Sequence, residues 1–463
     1  MTILIRTLQF LLSLSFLVMI HELGHFTFAR IFGVRVNKFY MFFNPWRSIF
    51  RMKKILGKWH FRFFAKNTTD DDEWGQHPET TEWGIGWLPL GGYCAIAGMV
   101  DETTTADQLP TEPQPWEYRA KPTWQRLFII TGGVLVNFLG ALLIYAAVFH
   151  HWGQDYMPLS SAEYGMHFSE TMLSEGFCQG DRIIRIGDRT PETRADLVNW
   201  MVVDGEHDIT VLRNSDTVHL TLSDGFERKI LADQSSTFCD FRFPFVIADV
   251  MPDSPAAQAL MLPGDSVIAV NSQNCAIYQD IVAELALHPA DSVDVTFVRD
   301  GQTLTARVLL TPDAHLGVYP KAPTEFLETK HVEYGFFEAF PAGIRYGWET
   351  LANYVKQFRL VFTKEGARSL GGFAAIGSLF SPVWDWHSFW LMTAFLSIIL
   401  AFMNIIPIPG LDGGHMLFLL VEMITGRKPN DKFIERANNI GFYLLLALLI
   451  YANANDIIKF FMR

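Results

Sequence analysis

His21, Glu22 and His25 form the segment HELGH, which has the pattern HExxH, close to the start of the chain. On a helix, residues four positions apart lie on the same face, so both imidazoles can bind one metal ion. Glu22 lies beside them, where its carboxylate could take a proton from a water molecule that the metal activates. The pattern also arises by chance on soluble helices, so alone it indicates only a metal-binding protein.

A catalytic zinc site usually has three protein ligands and one water, so a third ligand must come from another segment. Asp412 is the candidate, because it directly follows the stretch NIIPIPGL at 404–411. The two prolines in this stretch must break a helix, and broken backbone at membrane depth is tolerated only where protein buries it or where it lines a cavity. The alternative is an interfacial turn in which Asp412 only caps the next helix.

Long apolar runs surround both motifs. The sequence predicts a polytopic α-helical membrane protein with about four transmembrane helices, each near the ~20 residues that cross ~30 Å of hydrocarbon. A signal peptide is the alternative for the first run, but no small-x-small cleavage site follows it. Ionisable groups in such spans are costly and normally mark a functional site. The predicted segments are 1–33, 124–150, 387–425 and 437–458, and Gly132 and Gly133 in the second would allow close helix packing.

Lysine and arginine are concentrated in two loops. Ten of them lie between 30 and 66, and four lie between 427 and 436. By the positive-inside rule both loops are cytoplasmic, so both termini and the middle of the chain lie outside. The candidate metal ligands are then expected near the cytoplasmic side of the membrane.

Residues 151–320 carry a net charge of −15, against −12 for the whole chain, so the acidity belongs to this block. An acidic block argues against nucleic-acid binding, which requires a basic face. Within it, GDRIIRIGD at 180–188 resembles GDSVIAVN at 264–271, and each predicts a short strand between two turns. The cysteines of the block form no CxxC pair and are interpreted as free buried thiols: Cys178, Cys239 and Cys275.

This repeated pattern resembles PDZ domains. It implies two extracytoplasmic PDZ-like α/β domains, at 158–232 and 243–315, inserted between the second and third spans. PDZ folds commonly bind an extended peptide at a sheet edge. The sequence supports a second role, the exclusion of large substrates, as well as it supports peptide binding.

Residues 336–363 have apolar side chains at steps of three and four, which predicts an amphipathic helix. The helix could lie against the membrane surface, or it could be an ordinary packed helix. The apolar positions are Phe337, Phe340, Ile344, Trp348, Leu351, Val355, Phe358 and Phe362.

Taken together, HELGH at 21–25 and NIIPIPGLDGGH at 404–415 resemble the two motifs of the site-2 protease family of intramembrane metalloproteases. The resemblance covers nearly the whole chain. It implies a zinc metalloendopeptidase of the bacterial cytoplasmic (inner) membrane. It also implies that His21, His25 and Asp412 are the zinc ligands and that Glu22 is the catalytic glutamate. Asn404 matches a family asparagine that lies near the scissile region of the substrate.

Other family landmarks fit unevenly. Gly91 and Gly92 match a family loop, here within the cytoplasmic segment 34–123, and the resemblance implies that this segment forms membrane-associated strands. Such strands could hold unwound substrate by edge pairing. At 42–44 the chain reads Phe-Phe-Asn where the family usually has Gly-x-Gly, a departure that concerns substrate presentation and not the metal site. Residues 67–82 look like an acidic insertion and are interpreted as a solvated loop. In the second span, the family's glycine and asparagine are matched by Gly133 and Asn137.

Two other classes of function compete with the protease. A metal transporter would also place His and Asp in spans, but it does not explain the Glu directly after His21 or the PDZ-like domains. A catalytically idle membrane adaptor would not need Glu22 together with three ligands. The expected partners are therefore single-span membrane substrates, such as an anti-sigma factor or signal-peptide remnants, the lipid bilayer, and a peptide ligand of the PDZ-like domains.

Overall fold

The computed structural model describes residues 2–67, 73–89, 91–99, 112–233, 238–358, 361 and 371–462 of the chain. The chain divides into two compact units. The first unit combines Met1–Gly153 with Glu333–Arg463, and the second is the inserted segment Gln154–Val332.

Four helices in the described part of the chain are long and apolar enough to cross a membrane, which confirms the predicted number. They are α1 (Thr2–Ile31), α2 (Thr123–Trp152), α10 (Trp386–Ile405) and α12 (Asp431–Met462), numbered along the whole chain. Three further described helices belong to the first unit: α8 (Phe336–Phe358), α9 (Phe373–Ser378) and α11 (Asp412–Thr425). The third apolar helix thus ends before the two prolines, and a new helix begins at Asp412.

A five-stranded sheet follows α1. Its strands are β1 (Val36–Met41), β2 (Phe43–Ile55), β3 (Lys58–Phe63), β4 (Glu82–Leu88) and β5 (Tyr93–Ile96), in the order β3-β2-β4-β1-β5. β1 runs parallel to β4, and the other neighbouring pairs are antiparallel. Alternate residues of β3, namely Trp59, Phe61 and Phe63, are exposed, so this strand turns an aromatic face outward.

Glycines in this sheet and in the loop before β5 accommodate the bulky segment at 42–44. Phe42 has a left-handed φ of 73°, and Phe43 begins β2. A Cβ atom on Gly86 would lie 2.1 Å from the Phe43 carbonyl oxygen, and one on Gly91 would lie 2.8 Å from the Phe43 ring. Glycine at 86 and 91 therefore makes the space that the phenylalanines fill.

The acidic insertion is not the wholly solvated loop expected for 67–82. Residues 68–72 lie outside the described part, but Trp74 is only 1% exposed. The guanidinium carbons of Arg51 and Arg62 lie 5.1 and 4.5 Å from the centre of its ring, and Lys53 Nζ donates a hydrogen bond to its carbonyl oxygen at 2.7 Å. These cation–π contacts fix the segment to the sheet. Its acidic composition predicted a solvated loop and gave no sign of this anchoring.

Helix α8 packs along α2 and α10 through its small residues. Ala339, Gly343 and Gly347 form its buried stripe, and a Cβ atom on Gly343 would lie 2.5 Å from the Ala146 nitrogen. The large apolar side chains that share one face of the helix are exposed, 85% for Phe337 and 62% for Trp348. The helix is therefore packed on its neighbours through its small residues, which let backbones approach closely, and its large apolar residues are left for lipid. Phe362 lies outside the described residues.

The second unit is rich in short strands and has two hydrophobic cores. One core gathers residues from Leu159 to Phe241 with Leu327, and the other gathers residues from Phe245 to Leu316. The first core thus extends beyond the predicted boundary at 232, because the strand Cys239–Phe241 pairs with the strand Met166–Phe168.

The elements of this unit have the following bounds. The strands are β6 (Gln154–Tyr156), β7 (Met166–Phe168), β8 (Arg182–Ile186), β9 (Asp208–Arg213), β10 (Asp216–Thr221), β11 (Cys239–Phe241), β12 (Phe245–Val250), β13 (Ser266–Val270), β14 (Gln273–Asn274), β15 (Ser292–Arg299), β16 (Gln302–Leu309), β17 (Val318–Pro320) and β18 (Lys330–Val332). The helices are α3 (Glu170–Ser174), α4 (Arg194–Leu197), α5 (Phe226–Ala232), α6 (Pro255–Gln258) and α7 (Tyr278–Leu285). The strands form sheets in the orders β10-β9-β8, β11-β7, β16-β15-β13-β12-β17 with β14 beside β13, and β18-β6.

The two similar sequence segments of this unit share one hydrogen-bonding arrangement. Asp265 is fully buried, and its two carboxylate oxygens accept hydrogen bonds from Arg299 Nε and Nη2 at 2.7 and 2.6 Å. Asp181 accepts from Arg213 in the same way, at 2.8 and 2.7 Å. Each aspartate also accepts a backbone N–H from the residue three positions before it, at 2.9 Å. The repeat predicted from sequence is therefore a structural repeat built around a buried Asp–Arg pair.

The three cysteines of this unit carry free thiols, as predicted. Only Cys239 is fully buried, and burial raises the pKa of its thiol to about 12. Cys178 is exposed and Cys275 is partly buried, so the prediction of burial is wrong for Cys178.

Candidate metal centre

The two histidines of the HExxH motif converge with Asp412. His21 Nε2 and His25 Nε2 lie 3.2 Å apart, and they lie 3.1 and 3.4 Å from Asp412 Oδ2. Among the described residues, these three form the only group of three or more His, Cys, Asp or Glu whose ligand atoms all lie within 4.8 Å of one another. Two motifs from opposite ends of the chain therefore meet at one point.

Asp412 reaches this point because the chain folds back tightly between α10 and α11. Gly410 has a φ of 90°, which favours glycine. A Cβ atom on Gly413 would lie 2.1 Å from the Ile406 carbonyl oxygen, and one on Gly414 would lie 2.7 Å from that of Ile408. The glycines around Asp412 are therefore what allow the first turn of α11 to lie against the end of α10.

Glycines also make room where α1 crosses α2. A Cβ atom on Gly24 would lie 2.2 Å from the Gly132 carbonyl oxygen, which confirms the close helix packing predicted for this part of α2. A Cβ atom on Gly133 would lie 2.5 Å from His25 Nε2 and 2.6 Å from His21 Cε1. Gly133 therefore leaves free the space in which the two imidazoles converge.

The hydrogen bonds of His25 favour a cation between the three atoms. His25 Nδ1 lies 2.9 Å from the Ile129 carbonyl oxygen, which can only accept, so Nδ1 carries a proton. In the neutral ring, Nε2 then presents its lone pair to Asp412 Oδ2, a buried oxygen without a hydrogen-bond partner. One proton can bridge two of the three atoms, whereas a metal ion satisfies all three. Tetrahedral ligands ~2.0–2.1 Å from zinc stand about 3.3 Å apart, so the observed triangle fits zinc.

Glu22 lies beside the ligands and near the loop that carries Gly91 and Gly92. A Cβ atom on Gly92 would lie 3.6 Å from Glu22 Cγ and 2.6 Å from the Tyr40 carbonyl oxygen. Strand β5, at the end of the sheet order, begins directly after this loop. The structure thus brings Glu22, Gly91 and Gly92 together, while Leu90 lies outside the described residues.

Asn404 and His415 lie on either side of Asp412 in sequence, and neither is one of the three clustered ligands. Asn404 lies in the last turn of α10 and makes no side-chain hydrogen bond in the described structure. His415 Nε2 lies 3.3 Å from Asn438 Nδ2 on α12, as expected for a packed histidine.

Two contacts of this site escaped the sequence reasoning. Asn137 of α2 is fully buried, with its Nδ2 3.2 Å from His21 Nδ1. Arg126 makes a two-pronged ion pair with Glu422, both largely buried, which joins the start of α2 to the last turn of α11. Opposite charges placed at the ends of two apolar helices were the available signal for the second contact. For Asn137, only the match to a family asparagine pointed to the position.

Comparison with known proteins gives a consistent result. Residues 9–66 and 73–448 match the model of peptidase family M50. A Ralstonia nicotianae protein named "Putative zinc metalloprotease" is 25% identical, over 99% of this chain and 99% of that protein. The regulator of sigma E protease of Haemophilus influenzae is 24% identical, over 97% of this chain and 98% of that protein.

Among solved structures, the PDZ domain of an SdrC-like protein from Listeria monocytogenes matches 17% of this chain and 86% of its own. The identity is 17% and the TM-score is 0.16, so no conclusion about the fold is drawn from this match.

Proposed function

Because this chain belongs to peptidase family M50, we propose that it hydrolyses peptide bonds within or near the transmembrane segments of single-span membrane proteins. The family and the relatives support an intramembrane zinc protease, and the proposal adds the substrate class. One observation carries it. His21, His25 and Asp412 converge beside Glu22, on and next to helices long and apolar enough to cross a membrane.

The chemistry follows from the side chains of this site. His21 Nε2, His25 Nε2 and Asp412 Oδ2 would hold zinc, with Glu22 as the catalytic residue. Bound zinc supplies a Lewis acid that activates water and polarises the scissile carbonyl. The Glu22 carboxylate accepts a proton from the water and returns it to the leaving amine, which completes the hydrolysis.

Substrate binding is assigned to the sheet end and to Asn404. A substrate helix has its carbonyl groups hydrogen-bonded, so it must unwind before it can be cut. An unwound segment could lie along Gly91 and Gly92 and pair with the sheet at β5, close to Glu22. The Asn404 side chain could then hydrogen-bond the backbone of this segment.

The orientation in the membrane follows from charge. The loop that contains the sheet carries ten basic residues, which supports a cytoplasmic position for this loop and an extracytoplasmic position for the second unit. The exposed aromatic residues of β3 suit a strand that touches the bilayer. We place the protein in the bacterial cytoplasmic membrane, with the metal centre near the cytoplasmic side.

The second unit is proposed to act on substrates before they reach the metal centre. Its two repeats, interpreted as PDZ-like domains, either bind an extended peptide at a sheet edge or exclude proteins with large external domains. Suitable substrates are an anti-sigma factor already trimmed outside, or signal-peptide remnants. The name of the Haemophilus influenzae relative supports the first class.

The test is cleavage of a tagged single-span membrane protein by the purified full chain. Glu22→Gln should bind zinc and not cut, because the carboxylate that moves the proton is gone. Asp412→Asn should lose both zinc and cleavage, because one of three ligands is weakened. Glu170→Gln, an exposed change on α3, is the matched control and should cut normally.

Two outcomes would overturn the proposal. Cleavage by Glu22→Gln at the wild-type rate would remove the mechanism. A wild-type chain that binds zinc and transports it, but leaves every single-span substrate intact, would favour the transporter.

A further inference from the structure

Asn137 of α2 contacts the imidazole of His21 at Nδ1, whereas Asp412 lies near Nε2 of the same ring. Its Nδ2 lies 3.2 Å from His21 Nδ1, and its Oδ1 is buried without a hydrogen-bond partner. The residue is fully buried, and its backbone carbonyl accepts a hydrogen bond from Ser397 Oγ of α10 at 2.8 Å. The side-chain amide is thus buried in contact with a ring nitrogen that is not directed at Asp412, and the bond to Ser397 involves only the backbone.

We propose that Asn137 is a positioning residue that fixes the tautomer of His21, an inference that rests on the proposed zinc site. With zinc bound, the carboxamide is turned so that Oδ1 accepts a hydrogen bond from His21 Nδ1–H. His21 Nε2, which points at His25 and Asp412, then keeps its lone pair for the metal.

The argument begins with the ring nitrogens. A neutral imidazole has one N–H and one lone pair. His21 Nε2 lies 3.1 Å from Asp412 Oδ2, so it is the atom that would bind the metal, and Nδ1 must carry the proton. A protonated Nδ1 requires an acceptor, and the amide of Asn137 is the group within reach.

Rotation of the amide by 180° supplies this acceptor. The two amide positions exchange, so Oδ1 takes the place 3.2 Å from His21 Nδ1. Nδ2 moves to the position where Oδ1 has no hydrogen-bond partner. The rotation therefore breaks only the contact between Nδ2 and His21 Nδ1, and it replaces that contact with a bond from His21 Nδ1–H to Oδ1. The assignment of nitrogen and oxygen in such an amide is set by the hydrogen-bond network, and zinc on His21 changes that network.

His25 shows the same arrangement with a backbone acceptor. Its Nδ1 lies 2.9 Å from the Ile129 carbonyl oxygen. Ile129, Gly133 and Asn137 are spaced by four residues on α2 and so lie on one face. This face supplies one acceptor for each histidine, with a glycine between them that leaves room for the rings. Metal-bound histidines normally donate their second N–H in this way.

The experiment measures metal binding and does not depend on cleavage. Zinc affinity of the purified full chain is determined by chelator competition, and the cobalt-substituted protein is examined by absorption spectroscopy. Asn137→Leu, which cannot accept, should weaken zinc binding about 10–100-fold and shift the cobalt bands. Asn137→Asp keeps an acceptor oxygen and should bind zinc within about threefold of wild type.

Ser397→Ala is the matched control, since it removes the hydrogen bond to the Asn137 backbone and leaves the amide in place. It should leave the cobalt spectrum unchanged. Asn137→Ala replaces the leucine variant if that chain does not accumulate.

The inference is overturned if Asn137→Leu binds zinc as tightly as wild type. It is also overturned if Asn137→Asp or Ser397→Ala loses as much affinity as Asn137→Leu. If the wild-type chain binds zinc and cuts nothing, the proposed function fails while this inference stands.

Discussion

Buried aspartates serve opposite purposes in the two units of this protein. In the second unit, Asp181 and Asp265 each accept two hydrogen bonds from an arginine and one from the backbone. In the first unit, Asp412 Oδ2 is buried with no hydrogen donor, and it faces the Nε2 atoms of two histidines. A carboxylate whose oxygens are satisfied holds a fold together. A buried carboxylate oxygen that accepts no hydrogen bond indicates a binding site for a ligand such as a metal ion.

The largest expected effect comes from filling the space beside the histidines. Gly133→Ala would place a Cβ atom 2.5 Å from His25 Nε2, so the rings must move apart. We expect loss of stoichiometric zinc and a fall in cleavage of more than about 100-fold, beyond what outer-shell changes produce. Zinc content and cleavage rate measure it. Gly140→Ala, whose Cβ would lie 3.3 Å from Ile20 Cδ1, is the control and should keep most activity.

The second prediction breaks a satisfied aspartate. Asp265→Asn removes the charge that holds Arg299 and puts an amide nitrogen where a buried oxygen accepts hydrogen bonds, which should destabilise the second repeat by about 1–3 kcal/mol. Amide hydrogen exchange in β13 and β15 should then accelerate about 10- to 100-fold, with zinc content unchanged. Asp291→Asn, at an exposed aspartate, should leave exchange as it is. Loss of zinc in Asp265→Asn would contradict the distinction between aspartates that only stabilise the fold and the aspartate that binds metal.

A third change tests how Asp412 is held in place. Glu422→Gln weakens the ion pair with Arg126 that ties α11 to α2. We expect zinc affinity to fall about tenfold, the lower range for groups that support ligands. Partial recovery of zinc affinity in the double variant Arg126→Glu with Glu422→Arg would show that the ion pair itself positions Asp412. Glu435→Gln, on α12, should have no effect on zinc affinity.

The smallest effect concerns pH in the second unit. Burial raises the pKa of Glu175, but hydrogen bonds from Lys229 and Ser223 outweigh it and hold the pKa below its ordinary value of 4.5. Because the folded-state pKa is depressed, its contribution to stability is present above pH 4.5 and is lost as the pH falls. As the pH is lowered from 7 to well below 4.5, the melting temperature of wild type should therefore fall by more than that of Glu175→Gln. Equal pH dependence in the two proteins would contradict the assignment.

The sequence predicted the parts of this molecule that depend on local pattern. The spacing of His21 and His25 placed both on one helix face, and the apolar runs predicted the four long helices. The two Gly-Asp segments predicted a structural repeat, although the arginines that complete it lie about 30 residues further on.

The failures have physical causes. Periodicity predicted helix α8 but not its buried face, because packing between helices that lie in lipid favours small residues such as Gly343 over large ones such as Trp348. Composition marked 67–82 as solvated, whereas one residue, Trp74, fixes the segment to the sheet. The role of Asn137 depends on which atom of His21 it faces, and only the tertiary structure determines that.

Zinc K-edge absorption spectroscopy of the purified full chain tests the central claim most directly. The claim predicts one zinc per chain, bound by two imidazole nitrogens and carboxylate or water oxygen at about 2.0–2.2 Å. Asp412→Asn should lose this signal, and Asp265→Asn should keep it. A chain without stoichiometric zinc, a sulfur ligand at about 2.3 Å, or an unchanged spectrum in Asp412→Asn would contradict the claim.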